Sequence, residues 1–496
     1  MIEFPLWSDL GMDKTSPTML NSWERELVLM ERYRYYFDGD VFEETVPTED
    51  RSTDPPLMYP LGLNLVKMLC TAQADAIFGE WEGSPVLFSV QQDENVSNAD
   101  KIAIDLAHAI LRSSNGASML WEHDLDRNVY GGGALKISPS LHTPGHIRWT
   151  RIPRQHFFPV WDPDDPDSLL EVYVIMPMTA EQARAKYGYE SDKDVTMRVE
   201  HWTQKEYRNY LDQKLISKYS GLNPWGVVPF VFTPRVRFHT WYGDALSQDI
   251  IPAQDELNAR LADIGEAINY NAHPVRWGMN LPRDFNAKNF PIGPNAFWNI
   301  GRSIGSNPEP KVGILEAKEA ISPAAFTYVD FVYDWSRTSV FAPPIAFGED
   351  DGGGQRSGAT LEIRMWPLIK SIRRSRSYLS ASLSRALHIS AVILNQKKFS
   401  DVPVRAVDAI LNQRIVPYFH PIMPRDQAAI VDEVVKLNAT NPPSISLETA
   451  QRILGRGSGE VERIKEMLGD DDLYKREEEA AAAKAQEAGR KGKAVG

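Results

Sequence analysis

Apolar positions recur at helical spacing through the first quarter of the chain. Leu61, Leu65, Leu69, Ala72 and Ile77 predict a helix within 61–88, and Ile102, Leu106 and Ile110 predict another over 98–113. Ser22, followed by Glu24 and Glu26, reads as the N-cap of an earlier helix carrying Leu29, Tyr33 and Tyr36. From about residue 130 to 245 the pattern shortens. Val172–Met176, Val199–Trp202 and Val227–Phe232 are β-rich runs, separated by D-P-D-D-P-D, N-P-W-G and the triplet Gly131-Gly132-Gly133. They predict an antiparallel sheet packed on the preceding helices.

A long helix follows over about 245–271. Ile250, Leu257, Leu261, Ile264 and Ile268 form one stripe, and Pro252 bends the helix or marks its true start. His273-Pro274 stops it. Residues 273–321 hold eleven Pro or Gly, which predicts a turn-rich β insertion. Ser322-Pro323 opens the next helix, with Asp330, Asp334 and Arg337 on one face. After Ala342-Pro343-Pro344 comes the loop F-G-E-D-D-G-G-G-Q-R-S-G. A third long helix then runs from 359 to about 397. It is basic, with Arg364, Lys370, Arg373, Arg374, Arg376, Arg385, Lys397 and Lys398 against Glu362, and it is interrupted by Pro367. Helices are expected over 446–454 and 459–468, and the charged, Ala-rich end reads as a frayed helix or disordered tail.

With 496 residues, the chain fits about two to four domains. The 43% apolar content supplies real cores, so the expected class is α+β, mainly helical. The net charge of −13 argues against gripping nucleic acid by average charge, because such affinity comes from neutralising phosphates. The single cysteine, Cys70, excludes an internal disulfide and is expected in the core. No signal peptide or bilayer-spanning run is visible.

Chemistry is sparse. The 347–358 loop lacks the Lys of a phosphate loop and carries acids before its glycines, so nucleotide binding is not expected. Pro163 and Pro166 break a calcium-loop pattern at 161–167, which reads as a β-turn. Glu122-His123-Asp124-Leu125-Asp126 reads as a solvated charged turn, since one segment cannot close a metal site alone. No catalytic residues, cofactor or metal are expected. From Asp244 to Asn271 there are six acids and one base, Arg260. Asp249, Glu256 and Asp263 fall on one line, which reads either as a solvated face or as a functional acidic wall.

The order of these pieces carries a resemblance. A β region closes in Asn223-Pro224-Trp225-Gly226 to Phe232. Then come Tyr242-Gly243-Asp244 to Asn258, containing Q-D-E-L-N, the acidic helix, a turn-rich insertion, an aromatic helix and a flexible acidic loop into Ser357-Gly358-Ala359. Over roughly residues 20 to 470 this resembles the portal proteins of tailed double-stranded DNA phages. The resemblance implies a wing (1–243), a first stem helix (244–272), a clip (273–321), a second stem helix (322–341), a tunnel loop (342–358), a long wing helix (359–399), a crown (400–472) and a tail (473–496). It implies a ring, commonly of twelve subunits, in the virion at one capsid vertex. Double-stranded DNA would enter and leave through its channel, and the protein would not be an enzyme. Asp249, Glu256 and Asp263 would line that channel. Phe347, Glu349, Asp350, Asp351, Gly352, Gly353, Gly354, Gln355 and Arg356 would form the tunnel loop. Arg276, Arg283, Lys288 and Arg302 would face the terminase large subunit and then the head–tail adaptor. Major capsid and scaffolding proteins are further implied partners, with assembly in the host cytoplasm and no membrane contact. Another ring-forming neck or baseplate protein is the alternative.

Overall fold

The structure, a computed structural model, describes residues 17–42, 63–79, 84–90, 97–143, 145–272, 276–280, 311–314, 322–349, 358–399, 401–422 and 434–436. About 54% of the fold is helix and 22% strand, a mixed α+β class. The expected helices over 446–454 and 459–468 and the tail lie outside the described residues.

Four helices come first: α1 (Pro17–Asp38), α2 (Leu65–Phe78), α3 (Asn98–Ser113) and α4 (Gly116–Tyr130), with strand β1 (Val86–Val90) before α3. The α3 boundaries match the sequence pattern, because Ser97 and Asp100 form a reciprocal capping box. One expectation fails here. Helix α1 begins at Pro17, not at Ser22, since Pro17 is pre-set for a first turn and Trp23 anchors the helix through that point against Phe158 and Tyr173. The helix within 61–88 ends at Phe78, where Gly79 takes a positive φ of 66°. Phe88 belongs to strand β1.

The β region comprises β2 (Gly132–Pro139), β3 (Ile147–Ile152), β4 (Phe157–Trp161), β5 (Leu169–Thr179), helix α5 (Ala180–Tyr187), β6 (Val195–Thr203), β7 (Glu206–Leu211), β8 (Lys214–Leu215), β9 (Gly221–Leu222) and β10 (Phe230–Pro234). It forms two antiparallel sheets. One has the order β10-β2-β3. The other runs β4-β5-β6-β7-β8, with β9 on β7. The D-P-D-D-P-D segment is a tight turn, closed by Asp162 N donating to Ser168 O and by the Asp162 and Asp165 carboxylates accepting from Asp164 N and Asp167 N.

Next are α6 (Leu246–Ala272), the strands β11 (Arg276–Met279) and β12 (Lys311–Ile314), which pair antiparallel, then α7 (Pro323–Ser339), α8 (Gly358–Lys397), α9 (Val404–Leu411) and β13 (Ile415–Phe419). Pro252 and Pro367 lie inside helices. Strand β13 pairs with β1 across more than three hundred residues of sequence. The chain divides into two units. Residues 1–353 and 364–419 form the first, so α9 and β13 belong to it. Residues 354–363 and 420–496 form the second.

Two apolar cores organise the first unit. Trp23, Phe157, Phe158, Trp202, Phe230, Phe232 and Tyr242 fill the sheet region. Tyr33, Leu65, Leu69, Cys70, Leu246, Ile250, Leu257, Val332 and Val340 fill the second, where α1, α2 and the near ends of α6 and α7 meet. Cys70 is buried there as expected.

The E-H-D-L-D segment corrects the sequence reading most sharply. It lies on α4, and His123, Asp124 and Asp126 are buried. The charges are tolerable because Arg127, one turn further along α4, and Arg151 of β3 reach them. Arg127 pairs with Asp124 and donates to Pro234 O and to Ser375. Arg151 donates twice to Asp126, each bond 2.7 Å.

The glycine triplet is a packing junction as well as a turn. Gly131 caps α4 with φ 88°, and a Cβ there would lie 2.3 Å from Gly243 O. A Cβ on Gly132 would strike the Phe232 ring at 2.2 Å, and one on Gly133 would strike His123 Nδ1 at 2.7 Å.

Candidate functional site

The singled-out residues that the structure describes lie on α6, on the segment after α7 and, for Arg276, on β11. Helix α6 changes character along its length. Ile250 and Leu257 are buried, Leu261 and Ile264 are half-buried, and Ile268 is 52% exposed. The apolar stripe therefore anchors one end of the helix in the second core and runs out toward solvent, packed against α7. The two helices form an arm whose root is fixed, and the β11–β12 pair lies between them in the chain.

The Q-D-E-L-N phrase fixes that root. The Gln254 side chain accepts from Leu65 N (2.6 Å) and donates to Leu63 O (2.6 Å) and to Asn258 Oδ1 (2.8 Å), tying α6 to the start of α2. Asp255 accepts from the Tyr36 hydroxyl of α1 (2.7 Å). Leu257 enters the core. Every residue of the phrase has a bonded or buried role.

The acidic line is present on α6, but its three carboxylates have different surroundings. Asp249 is exposed at one edge, yet the protein around it displaces water and raises its carboxyl pKa; Arg235 opposes the shift and Asp244 adds to it. Glu256 and Asp263 share one guanidinium: Arg260 Nε donates to Glu256 Oε1 and Nη1 to Asp263 Oδ2, both at 2.8 Å. Glu256 also accepts from the Tyr328 hydroxyl of α7 (3.1 Å). These bonds, Arg260's first, hold its carboxyl below the usual range. The line thus carries one cation among its three acids and is cross-braced to α7.

Helix α7 starts as the sequence predicts, with Ser322 accepting from Ala324 N and Pro323 in the first turn. Its inner face holds Val332, Ser336, Arg337 and Val340. Arg337 is nearly buried and organises the start of the loop after α7. Its guanidinium lies 4.3 Å from the Tyr333 ring centroid and 5.9 Å from that of Phe347, pairs with Asp334, and donates from Nη1 to Glu349 Oε2 at 2.8 Å. Sequence grouped Arg337 with Asp330 and Asp334 on one face; among the described residues it bonds Asp334 and not Asp330. The expected loop opens with a single 3-10 turn, Pro344–Phe347, closed by Gly348 at φ 77°. Phe347 and Glu349 are therefore held against the end of α7. Asp350, Asp351, Gly352, Gly353, Gly354, Gln355 and Arg356 lie outside the described residues.

Arg276 lies on β11, opposite Ile314 of β12. Arg283, Lys288 and Arg302 lie outside the described residues. Among the described residues no cluster of three His, Cys, Asp or Glu could hold a metal, and no helix is long and apolar enough to cross a membrane.

Sequence reading missed two contacts at this site: the Arg260 bridge and the Arg337 hub. The first had a local signal, since Glu256 and Asp263 stand four before and three after Arg260. The second did not, because Glu349 reaches Arg337 only through the turn at 344–348. No protein-family model matches the chain, and a search of curated proteins finds no match.

Proposed function

We propose that the chain is one subunit of a ring-shaped DNA conduit, the portal at a capsid vertex of a tailed double-stranded DNA phage. The observation that carries this reading is the arm. An acidic helix rooted in the second core leads into a β pair, and an aromatic helix returns to the same core and turns through an anchored loop start toward a long basic helix. In this reading 1–243 and 359–399 form the wing, α6 and α7 the stem, 273–321 the clip, 342–358 the tunnel loop and 400–472 the crown.

The physical support is electrostatic. A duplex moving past a wall is slowed by every phosphate contact that releases counterions, so a basic lining would grip it. Asp249, Glu256 and Asp263 outnumber Arg260, and at about 0.1 M salt the Debye length of roughly 10 Å leaves such a wall only partly screened. The carboxylates pass DNA without holding it. Phe347 and Glu349 set where the tunnel loop leaves the stem. Arg276, Arg283, Lys288 and Arg302 offer the clip's cations to terminase during filling and to the adaptor afterwards. Capsid and scaffolding proteins hold the ring in the virion shell.

Negative-stain microscopy of the purified protein tests the reading. Closed rings with a central hole are expected. A single chain or an open filament would overturn it. Rings that fail to restore DNA packaging to a portal-deficient phage lysate would favour a neck or baseplate ring instead.

A further inference from the structure

Two outward faces of the first unit are opposite in kind and only partly satisfied within the chain, Asp334 of the first being paired with Arg337. On α7, Phe331 is 63% and Trp335 54% exposed, one turn apart, beside the exposed carboxylates Asp330 and Asp334. Asp330 has no ion-pair partner among the described residues. Contiguous exposed aromatics on a soluble protein mark a contact surface. On α8, Trp366 is 42% exposed, with Lys370 Nζ 5.2 Å and Arg373 Cζ 5.7 Å from its ring centroid, and Arg374 beside them. The cations of α8 that face inward are engaged. Arg376 donates to Ile77 O (2.6 Å) and lies over Phe419, and Arg385 meets Asp167 (3.0 Å). Lys370, Arg373 and Arg374 are exposed and have no acid among the described residues.

We infer that the aromatic–acidic face of α7 in one copy docks on the aromatic–basic ridge of α8 in the next copy. The α7 face spans about one and a half helical turns and the α8 ridge about two and a half, and each combines rings with charge of one sign. Trp and Arg are the residues that carry binding energy at protein interfaces. Joined head-to-tail, with the α7 face of each copy on the α8 ridge of the next, these surfaces generate a ring when the rotation closes. DNA is a poorer occupant of the ridge. Two of its three cations already lie over Trp366, and a protein of net charge −13 supplies acidic partners from its own copies. The inference rests on the ring reading above and names the surfaces that would build it.

The test uses charge reversal with rescue by mixing in the full chain. Arg373→Glu/Arg374→Glu and Asp330→Lys/Asp334→Lys are made separately. Each alone is expected to lower the assembled fraction in sedimentation velocity by about ten-fold or more, because like charges meet at every contact. Mixed in equal amounts, the two variants alternate around the ring and every interface again pairs opposite charges, so assembly returns. Circular dichroism and a cooperative melt check that each variant folds. Where a double variant fails that check, the single changes Arg374→Glu and Asp330→Lys repeat the experiment. Either variant assembling like the unaltered chain, or folded variants that do not rescue each other, overturns the proposal. Rings that stay intact while Arg373→Glu/Arg374→Glu loses only DNA retention also overturn it, and assign the ridge to phosphate. An unaltered chain that sediments as a monomer defeats the ring reading itself, a result distinct from loss of this interface alone.

Discussion

Arg337 and Glu349 stand twelve residues apart, yet the guanidinium donates from Nη1 to the carboxylate at 2.8 Å and fixes the first turn of the 342–358 loop to the end of α7. Arg337 is almost wholly buried, while Glu349 keeps about half its side chain in water. Removing Glu349 leaves Arg337 with Asp334 and the Tyr333 ring, so Glu349→Gln should cost only about 1 kcal/mol or less of global stability. Its effect should be local. Limited proteolysis is expected to cut after residue 344 markedly faster in the variant, with only a small shift of the urea midpoint. Equal cleavage rates would show that the pair does not hold the loop.

Gly131 and Gly243 each have positive φ, 88° and 89°, and a Cβ on either would lie 2.3 Å from the carbonyl oxygen of the other. Backbone is the obstacle on both sides, so no rotamer change relieves it. Gly131→Ala and Gly243→Ala should each destabilise by roughly 2–5 kcal/mol, combining left-handed strain with overpacking. Gly226 separates the two causes: its φ is 65°, but a Cβ there meets nothing within 4 Å. Gly226→Ala should therefore cost about 1 kcal/mol, from strain alone. Urea melts of the three variants give the comparison, and equal losses would refute the close approach.

Local signals account for what the sequence made legible. Ser97 and Asp100 mark the start of α3, Ser322-Pro323 marks α7, and the Ile250-to-Ile268 stripe marks α6, because capping and periodicity act within a few residues. The β1–β13 pair was not legible, since each strand is five residues long and its partner lies across the chain. Burial of Asp124 and Asp126 was hidden for a similar reason. Charged residues in a row look solvated until Arg127 and the distant Arg151 are placed against them. Of the candidate site, the acidic line could be read from the spacing of seven. Its bracing by Arg260 and Tyr328 needed the packing of α6 on α7.

That bracing predicts a titration change at Glu256. Arg260 and Tyr328 both donate to its Oε1, and their hydrogen bonds stabilise the ionised form. Arg260→Ala should move the Glu256 pKa up, and Tyr328→Phe should move it up by less, since Arg260 is the larger cause. Both pairs of Arg260 are exposed, so folding stability should hardly change. Carboxyl-detected NMR titration of Glu256 reads the shift, and a downward or absent move in Arg260→Ala would exclude the bridge.

His123 gives the protein an acid-side slope. It is fully buried, and neither ring nitrogen has a hydrogen-bond partner among the described residues. Burial, reinforced by Arg127 and Arg151, pushes its pKa well below the ordinary 6.5. The native state therefore keeps His123 neutral while the unfolded chain takes up a proton below about pH 6.5. Stability is whole above that pH and falls by up to about 1.4 kcal/mol for each unit below it, until the lowered native pKa is reached. Asp126 runs the other way. Burial raises its carboxyl to about 6 against the pull of Arg151, so its contribution is fully present below about 3.9 and is lost as the pH climbs through 6. His123→Met, which fills the site without a titrating group, separates the two. Urea-derived stabilities of both proteins between pH 7.5 and 5 should diverge, with the variant losing less on the acid side. Parallel curves would mean that His123 is protonated in the native protein or exposed to solvent.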